Sequence, residues 1–576
     1  MTDGTAEGRR MKTDAGHGLF ARMLSLTMAL LLLSQPAVLR AADATPAAVP
    51  SSPAAQTAAP ADDSTTSRAA EDNLNRAVNA RRSDFLPASR TESTINRSVI
   101  GNLPDLGDAS SAAMSEVEER QQAEQAMQEI RRDPDYITDP LLTDYLNSLG
   151  FRLARAVRAS GLGSAPSFDF FAVRDKGINA FAMPGGYVGV YTGLMVAAEN
   201  ESELAAVVGH EIGHVLQKHY ARGQDRNRGN VLMALGGLAL AILAASHNPS
   251  AATGLAIGGQ AAAADNYLSF SRDAEREADR VGYQILQAGG FDTSASPAFF
   301  SRLQRANNIN ESNIPSYVRT HPLTVDRIAD MQARVQQTAK QPVQPQATEF
   351  YYARARARVL QTPGPVALAD LRNYFQQQKS APLKPEVQAG NLYGLAYANE
   401  QIGDFAAMRR ALDELEALVR SPAIVEKTSP AIEVMELEFA ASGGKMREAV
   451  QEAEKALKQF PASRAVGVAY VRLLLLAHRP ADAVGFLQAH TRLEPGQSAW
   501  WDLLAESFAA QGKRAAQHRA LAERMMLQGA WPSALEQLKI ARAAGDANFY
   551  ELSEIDARIH QLQNDYKDQL DPRTRR

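Results

Sequence analysis

The sequence predicts two folded parts in series: an α+β domain, mostly helical with a small sheet that offers an edge strand, and an all-α solenoid of repeated helix pairs. Three observations carry this. The segment His210-Glu211-Ile212-Gly213-His214 has a helical period and follows two short alternating, β-rich segments. Beyond residue 340, Ala449 and Ala483 lie 34 residues apart, as do Pro461 and Pro495, and Gly444 and Gly512 lie at twice that spacing. The length of 576 residues also exceeds what one hydrophobic core organises.

Four regions follow along the chain. Residues 1–44 read as a signal peptide: Arg9, Arg10, Lys12 and Arg22 precede an apolar run from Met23 to Leu33, and Ala42-Asp43-Ala44 offers a small-residue cleavage site. Met11 is an alternative start, and a retained anchor competes with cleavage, although the run is short for a bilayer span. Residues 45–101 form a low-complexity spacer, rich in Ala, Pro, Ser and Thr in its first part, which cannot bury a core. Residues 102–340 form the α+β domain and residues 341–576 the repeats. The formal net charge of −4, with no basic arm interleaved with aromatics, argues against nucleic acid as a partner. The absence of cysteine excludes disulfides, a lipid-anchor motif and thiolate metal sites, leaving His and carboxylates as metal ligands.

Within 102–340, Ser115 to Arg132 is charged and helical in pattern, and Asp139-Pro140 opens a helix carrying Leu142, Tyr145, Leu146 and Leu149. Phe168 to Val173 and Tyr187 to Tyr191 alternate as strands around the turn Pro184-Gly185-Gly186. Asn200 caps the next helix, with Glu203 reaching back in a capping box. Leu204, Val207, Val208, Ile212 and Val215 form its apolar stripe, Lys218 and Arg222 stand near its far end, and Gly223 stops it.

On that helix His210 and His214 are one turn apart on one face, so both imidazoles can reach a single zinc ion while Glu211 stands beside it. Glu211 would take a proton from a zinc-bound water, whose pKa the metal lowers to about 7. A catalytic zinc needs a third protein ligand. In Asp273-Ala-Glu-Arg-Glu-Ala-Asp-Arg-Val-Gly282, Glu275 and Asp279 are one turn apart and Glu277 points to a different face. Glu275 can complete a His, His, Glu set, and Asp279 can accept the free ring N–H of a ligand histidine. The same segment also reads as a solvated helix in which Arg272, Arg276 and Arg280 offer ion pairs. His219 is off the zinc-facing stripe and reads as structural, and Arg327 is left unplaced.

Between the two motifs, residues 229–264 contain no acidic residue, Lys or Arg, and Val231 to Ala245 is a 15-residue apolar stretch. A membrane span needs about 20 such residues. A buried helical hairpin and a hairpin that lies against a membrane or an unfolded client remain as readings.

HEIGH followed by EREADRVG resembles the glutamate-zinc peptidases of the CAAX-prenyl-endopeptidase and HtpX type. NAFAMPGGYVGVYTGLM, Asn179 to Met195, is similar to that family's segment before the active-site helix. NLPDLGD (Asn102 to Asp108), DPLLTDYLNSLG (Asp139 to Gly150) and THPLTVDRIAD (Thr320 to Asp330) resemble one periplasmic branch that enhances assembly of outer-membrane β-barrels and ends in tetratricopeptide repeats. The resemblance runs from about Asn102 to the C-terminus and implies a zincin-like metallopeptidase fold. It implies Glu275 as third ligand, one zinc ion per chain, and Asn179, Ala180 and Phe181 on an edge strand that pairs with substrate. It further implies His321, in its His-Pro context, as a fourth ligand that holds the enzyme off; packing at the domain edge is the plain alternative for this residue. The activity implied is a zinc-dependent endopeptidase of the periplasm that degrades misfolded or stalled outer-membrane proteins. The repeats would contact those clients and the barrel-assembly machinery, and the apolar insert would give peripheral membrane contact. A chaperone or assembly factor with a latent zinc site is the alternative. A membrane-embedded prenyl-type protease is disfavoured by the single short insert.

Overall fold

In the computed structural model, residues 116–162, 166–220, 272–309, 316–338, 347–379 and 381–570 are described, together with Val343. The expected signal peptide, the spacer, the Asn102 to Asp108 motif, the apolar insert 229–264 and the expected helix stop at Gly223 lie outside the described residues.

The first part is built from α1 (Glu116–Ile130), β1 (Tyr136–Ile137), α2 (Pro140–Ala159), β2 (Asp169–Val173), β3 (Ala180–Met183), β4 (Tyr187–Tyr191), α3 (Thr192–Ala197), α4 (Glu201–Leu216), α5 (Arg272–Ala288), α6 (Ala295–Ile309), α7 (Ser316–Thr320) and α8 (Val325–Gln337). The sheet order is β1-β2-β4-β3, with β2 and β4 parallel and the other neighbours antiparallel. β3 therefore lies at an edge. Between β3 and β4, Gly186 takes φ 85° and a Cβ there would meet the Ser167 carbonyl oxygen at 2.3 Å, so no other residue fits this turn.

Both sheet faces are covered. On one side Ala123, Met127 and Ile130 of α1 pack on Phe171, Val173, Met183, Tyr187 and Tyr191. On the other, the apolar faces of α2 and α4 share a core with Phe170, Ala172, Val188 and Val190. α2 starts as its sequence dictates: Asp139 accepts from the Leu142 amide at 2.9 Å and Pro140 occupies the first turn.

α4 departs from expectation at both ends. Asn200 accepts from the Glu203 amide at 3.1 Å, but the Glu203 carboxylate reaches the Glu199 amide, at 2.7 Å, instead of the cap residue. Arg302 holds both Glu203 oxygens and draws them there. At the far end the helix stops at Leu216, because Lys218 adopts φ 48° and turns the chain.

The second part is helical throughout. α9 (Thr348–Leu360), α10 (Pro365–Gln378), α11 (Pro385–Ile402), α12 (Phe405–Arg420), α13 (Pro430–Ser442), α14 (Met446–Gln459), α15 (Arg464–Leu476), α16 (Pro480–Leu493), α17 (Ser498–Ala510), α18 (Arg514–Leu527), α19 (Trp531–Ala543) and α20 (Phe549–Leu570) follow one another. From α11 onward consecutive helices form five hairpins. Helices α13, α15 and α17 begin at 430, 464 and 498, and α14, α16 and α18 at 446, 480 and 514, which is the 34-residue period. Pro461 and Pro495 follow the second helices of their pairs, while Gly444 and Gly512 make the turns with φ 73° and 70°.

The two parts are packed together. One side of α9 places Phe350, Tyr351, Ala353 and Ala357 in the first core, and another places Tyr352, Ala355 and Val359 in the core of the solenoid. Asp139, the cap of α2, also takes two hydrogen bonds from the buried Arg356 guanidinium at 2.7–2.8 Å. Further along, Asp144 accepts from the Ser463 hydroxyl at 3.0 Å and from the Ala465 amide at 3.2 Å at the start of α15.

Candidate metal centre and active site

α4 and α5 cross closely because both carry glycine at the crossing. A Cβ on Gly282 would meet the His210 backbone nitrogen at 3.1 Å, and one on Gly213 the Ala278 carbonyl oxygen at 3.0 Å. That approach brings the two sequence motifs together. The Nε2 atoms of His210 and His214 face each other at 2.9 Å. Glu275 sets Oε2 at 3.4 Å from His210 Nε2 and Oε1 at 3.5 Å from His214 Nε2.

His321 enters from the turn after α7. The start of α7 is fixed by hydrogen bonds from the Tyr317 amide and the Ser316 hydroxyl to the Ile178 carbonyl, at 3.0 and 3.2 Å. The His321 ring stacks on Tyr317 at 4.6 Å between centroids. Its Nδ1 lies 3.1 Å from Glu275 Oε1 and its Nε2 3.5 Å from Glu211 Oε1. One ligand atom from each of His210, His214, Glu275 and His321 lies within 4.8 Å of the others. All four residues, and Glu211, are at most 3% exposed.

Asp279 and Arg327 enclose the cluster. His210 Nδ1 lies 3.0 Å from Asp279 Oδ1. Arg327, in the first turn of α8, donates to both Asp279 oxygens at 2.7 and 2.8 Å and lies 2.8 Å from Glu275 Oε2. The carboxylates of Glu275 and Asp279 thus share one guanidinium, with the Glu211 carboxyl buried nearby. Two buried imidazole nitrogens converging beside a carboxylate form a donor set suited to zinc. Burial alone would lower the pKa of His210, yet hydrogen bonds to Asp279 and Glu275 and their charges raise it to about 9. Burial lowers that of His214, helped by the charge of His210. For Glu275 burial works upward but the charge of His321 and hydrogen bonds from His210 and His321 hold its carboxyl well below the usual range. Burial raises that of Glu211.

The sheet edge runs beside this cluster. Tyr191 N–H donates to Asn179 O at 3.1 Å, so the pairs 179/191 and 181/189 are the hydrogen-bonded ones between β3 and β4. The peptide groups of Ala180 and Ala182 consequently face away from β4, and Ala182 N–H donates to Glu211. A cleft lined by Ala182, Met183, Pro184, His214, Val215 and Tyr220 opens between β3 and the end of α4. Of the three residues expected on the edge strand, Ala180 turns its peptide outward, while Asn179 and Phe181 pair inward.

Three features escaped the sequence. Arg327, six residues after His321, stands across the loop from α5 and reaches Asp279, a position that spacing along the chain does not give. Tyr317 stands four residues before His321, a spacing that stacks two rings on one helical turn. A helix continued to Gly223 sets His219 apart from the site; with the helix ended at Leu216, His219 folds back and its Nδ1 lies 2.9 Å from His214 Nδ1.

Residues 140–335 match peptidase family M48, and residues 440–507 match a tetratricopeptide repeat. The beta-barrel assembly-enhancing protease of Escherichia coli K12 is 31% identical over 468 residues, which cover 80% of this chain and 91% of that protein. This chain belongs to that family. A further relative, the putative barrel assembly-enhancing protease of Vibrio cholerae, is 32% identical over 462 residues, 80% of this chain and 92% of its own length. The peptidase part alone extends to the mitochondrial metalloendopeptidase OMA1 of Arabidopsis thaliana, 27% identical over 218 residues, 38% of this chain and 41% of that one. As a member of the barrel assembly-enhancing family with an M48 peptidase domain, the protein is a metalloendopeptidase with a repeat domain.

Proposed function

We propose that His210, His214 and Glu275 hold one zinc ion, that Glu211 is the general base, and that the chain cleaves unfolded or stalled outer-membrane β-barrel proteins in the periplasm. The observation that carries this reading is the convergence of two imidazole nitrogens and one carboxylate beside a second, buried carboxylate. Zinc bound there would polarise the scissile carbonyl and acidify the attacking water. Glu211 would accept the proton of that water and return it to the leaving amine. Asp279 fixes the tautomer of His210, and Arg327 keeps Asp279 ionised. The outward peptide of Ala180 and the carbonyl of Ala182, in the segment from Asn179, align an extended substrate by main-chain hydrogen bonds. Residues 102–340 act as the peptidase unit and 341–576 as the binding unit.

His321 serves as a latch. Its Nε2 faces Glu211 and its Nδ1 faces Glu275, and a ring held there would block the base and, with zinc bound, the open coordination position. The solenoid engages the client or the barrel-assembly machinery, and the insert 229–264 gives peripheral membrane contact after export by the signal peptide. The chaperone reading is favoured by one observation: the solenoid is packed directly on the peptidase domain, so it can hold a client whether or not the latch opens.

Degradation of an unfolded protein such as casein, by the mature chain with and without a chelator, tests the proposal. Chelator-sensitive cleavage that Glu211→Gln reduces by about 10²–10⁴-fold with zinc still bound is the expected result. Cleavage that survives in Glu211→Gln would overturn it.

A further inference from the structure

We infer that His219 and Glu277 are positioning residues that fix the tautomer and direction of His214. The inference rests on the zinc reading above and extends it to two residues outside the ligand set. Glu277 Oε2 lies 3.0 Å from His219 Nε2, His219 Nδ1 lies 2.9 Å from His214 Nδ1, and His214 Nε2 faces His210. The His219 side chain is fully buried and that of Glu277 nearly so, with Arg280 near the second Glu277 oxygen at 3.8 Å.

With Glu277 ionised and His219 neutral, as the proposal takes them, the hydrogen positions follow from these contacts. An ionised carboxylate only accepts, so His219 Nε2 carries the proton that meets Glu277. A neutral ring protonated at Nε2 has a bare Nδ1, so His219 accepts at that atom. Two imidazole nitrogens at hydrogen-bond distance need one donor, which must then be His214 Nδ1. His214 is left with a lone pair at Nε2, the atom that faces His210 and Glu275. Both histidines of the pentad thereby end on a carboxylate of α5: His210 directly on Asp279, His214 through one intervening ring on Glu277.

The backbone is shaped for this contact. Lys218 holds φ 48°, a conformation that residues other than glycine rarely adopt, and this residue breaks α4 and folds His219 onto His214. Glu277, which helix spacing turns away from Glu275, is on the correct side of α5 to receive the far end of the His219 ring.

The test is equilibrium competition for zinc against a fluorescent chelator, using the full mature chain, paired with the absorption spectrum of the cobalt(II)-substituted protein. His219→Phe keeps a ring in the buried space but removes both nitrogens. It is expected to weaken zinc binding by about 10–100-fold and to shift the cobalt bands. Glu277→Gln, which retains an acceptor oxygen, is expected to give a smaller loss in the same direction, and the double variant no more than His219→Phe alone. A residue that only packs would lower thermal stability while leaving affinity and bands as in the wild type; that result in both variants overturns the relay. Should His219→Phe fail to fold, unchanged affinity and bands in Glu277→Gln overturn it. A wild-type chain that does not bind zinc rejects the metal reading itself, and the relay with it.

Discussion

At the scale of single residues, charge governs the site. Arg327 is 2% exposed and touches two carboxylates, so Arg327→Ala would leave Asp279 buried without its main counter-ion and remove one cationic contact of Glu275. Removing one partner of such a group costs about 3–5 kcal/mol. Denaturant unfolding of the metal-free protein should register a loss of that size, and added zinc should recover part of it. His321→Ala removes the ring that faces Glu211 and is expected to raise basal casein turnover; turnover equal to wild type in a folded variant would reject the latch. The pentad and Glu275 were legible because helix spacing states which side chains share a face. Arg327, Tyr317 and His219 were not, since each reaches the cluster across a loop or a helix end, where spacing along the chain carries no direction.

At the scale of elements, the α4–α5 crossing sets the geometry of the cluster. Gly282→Val would press against the His210 backbone, since even a Cβ at this position would stand only 3.1 Å from the His210 nitrogen. Overpacking of this kind costs about 1–3 kcal/mol, and here the displacement moves Glu275 relative to the histidines. The expected outcome is a lower melting temperature together with weaker zinc binding; loss of stability with affinity intact would mean that the crossing merely packs. Strands β2 and β4 were legible from alternation. β3 was reached only through resemblance and β1 not at all, since four-residue and two-residue strands carry too little pattern to separate from a loop. The early end of α4 was hidden because Lys218 is a good helix former that takes a left-handed conformation in this fold.

At the scale of the molecule, the joint between peptidase and solenoid carries its own acid–base signature. Glu349, at the start of α9, is raised from 4.5 to about 7 by burial, reinforced by the charges of Glu426 in the solenoid and Glu201 in α4, against a hydrogen bond from Ser429. The folded state binds this proton more tightly than the unfolded chain, so stability falls as pH rises from about 4.5 through about 7. Glu349→Gln should therefore unfold at a higher temperature than wild type at pH 8 and show little difference at pH 4.5. An equal difference at both values would mean that the carboxyl is not perturbed by the joint. The 34-residue recurrence exposed the solenoid because each repeat meets the same neighbours and so needs the same small residues. How the solenoid meets the peptidase was not legible, because Asp139 and Arg356 are 217 residues apart and belong to no repeat.

The shared helix α9 gives the molecule a property that neither part has alone. Since its two sides are buried in different cores, the solenoid is not a tentacle on a string but one arm of a calliper. If the repeats grip the client as proposed, the span from grip to metal site is set by architecture, and the enzyme's reach is counted in residues of the bound polypeptide.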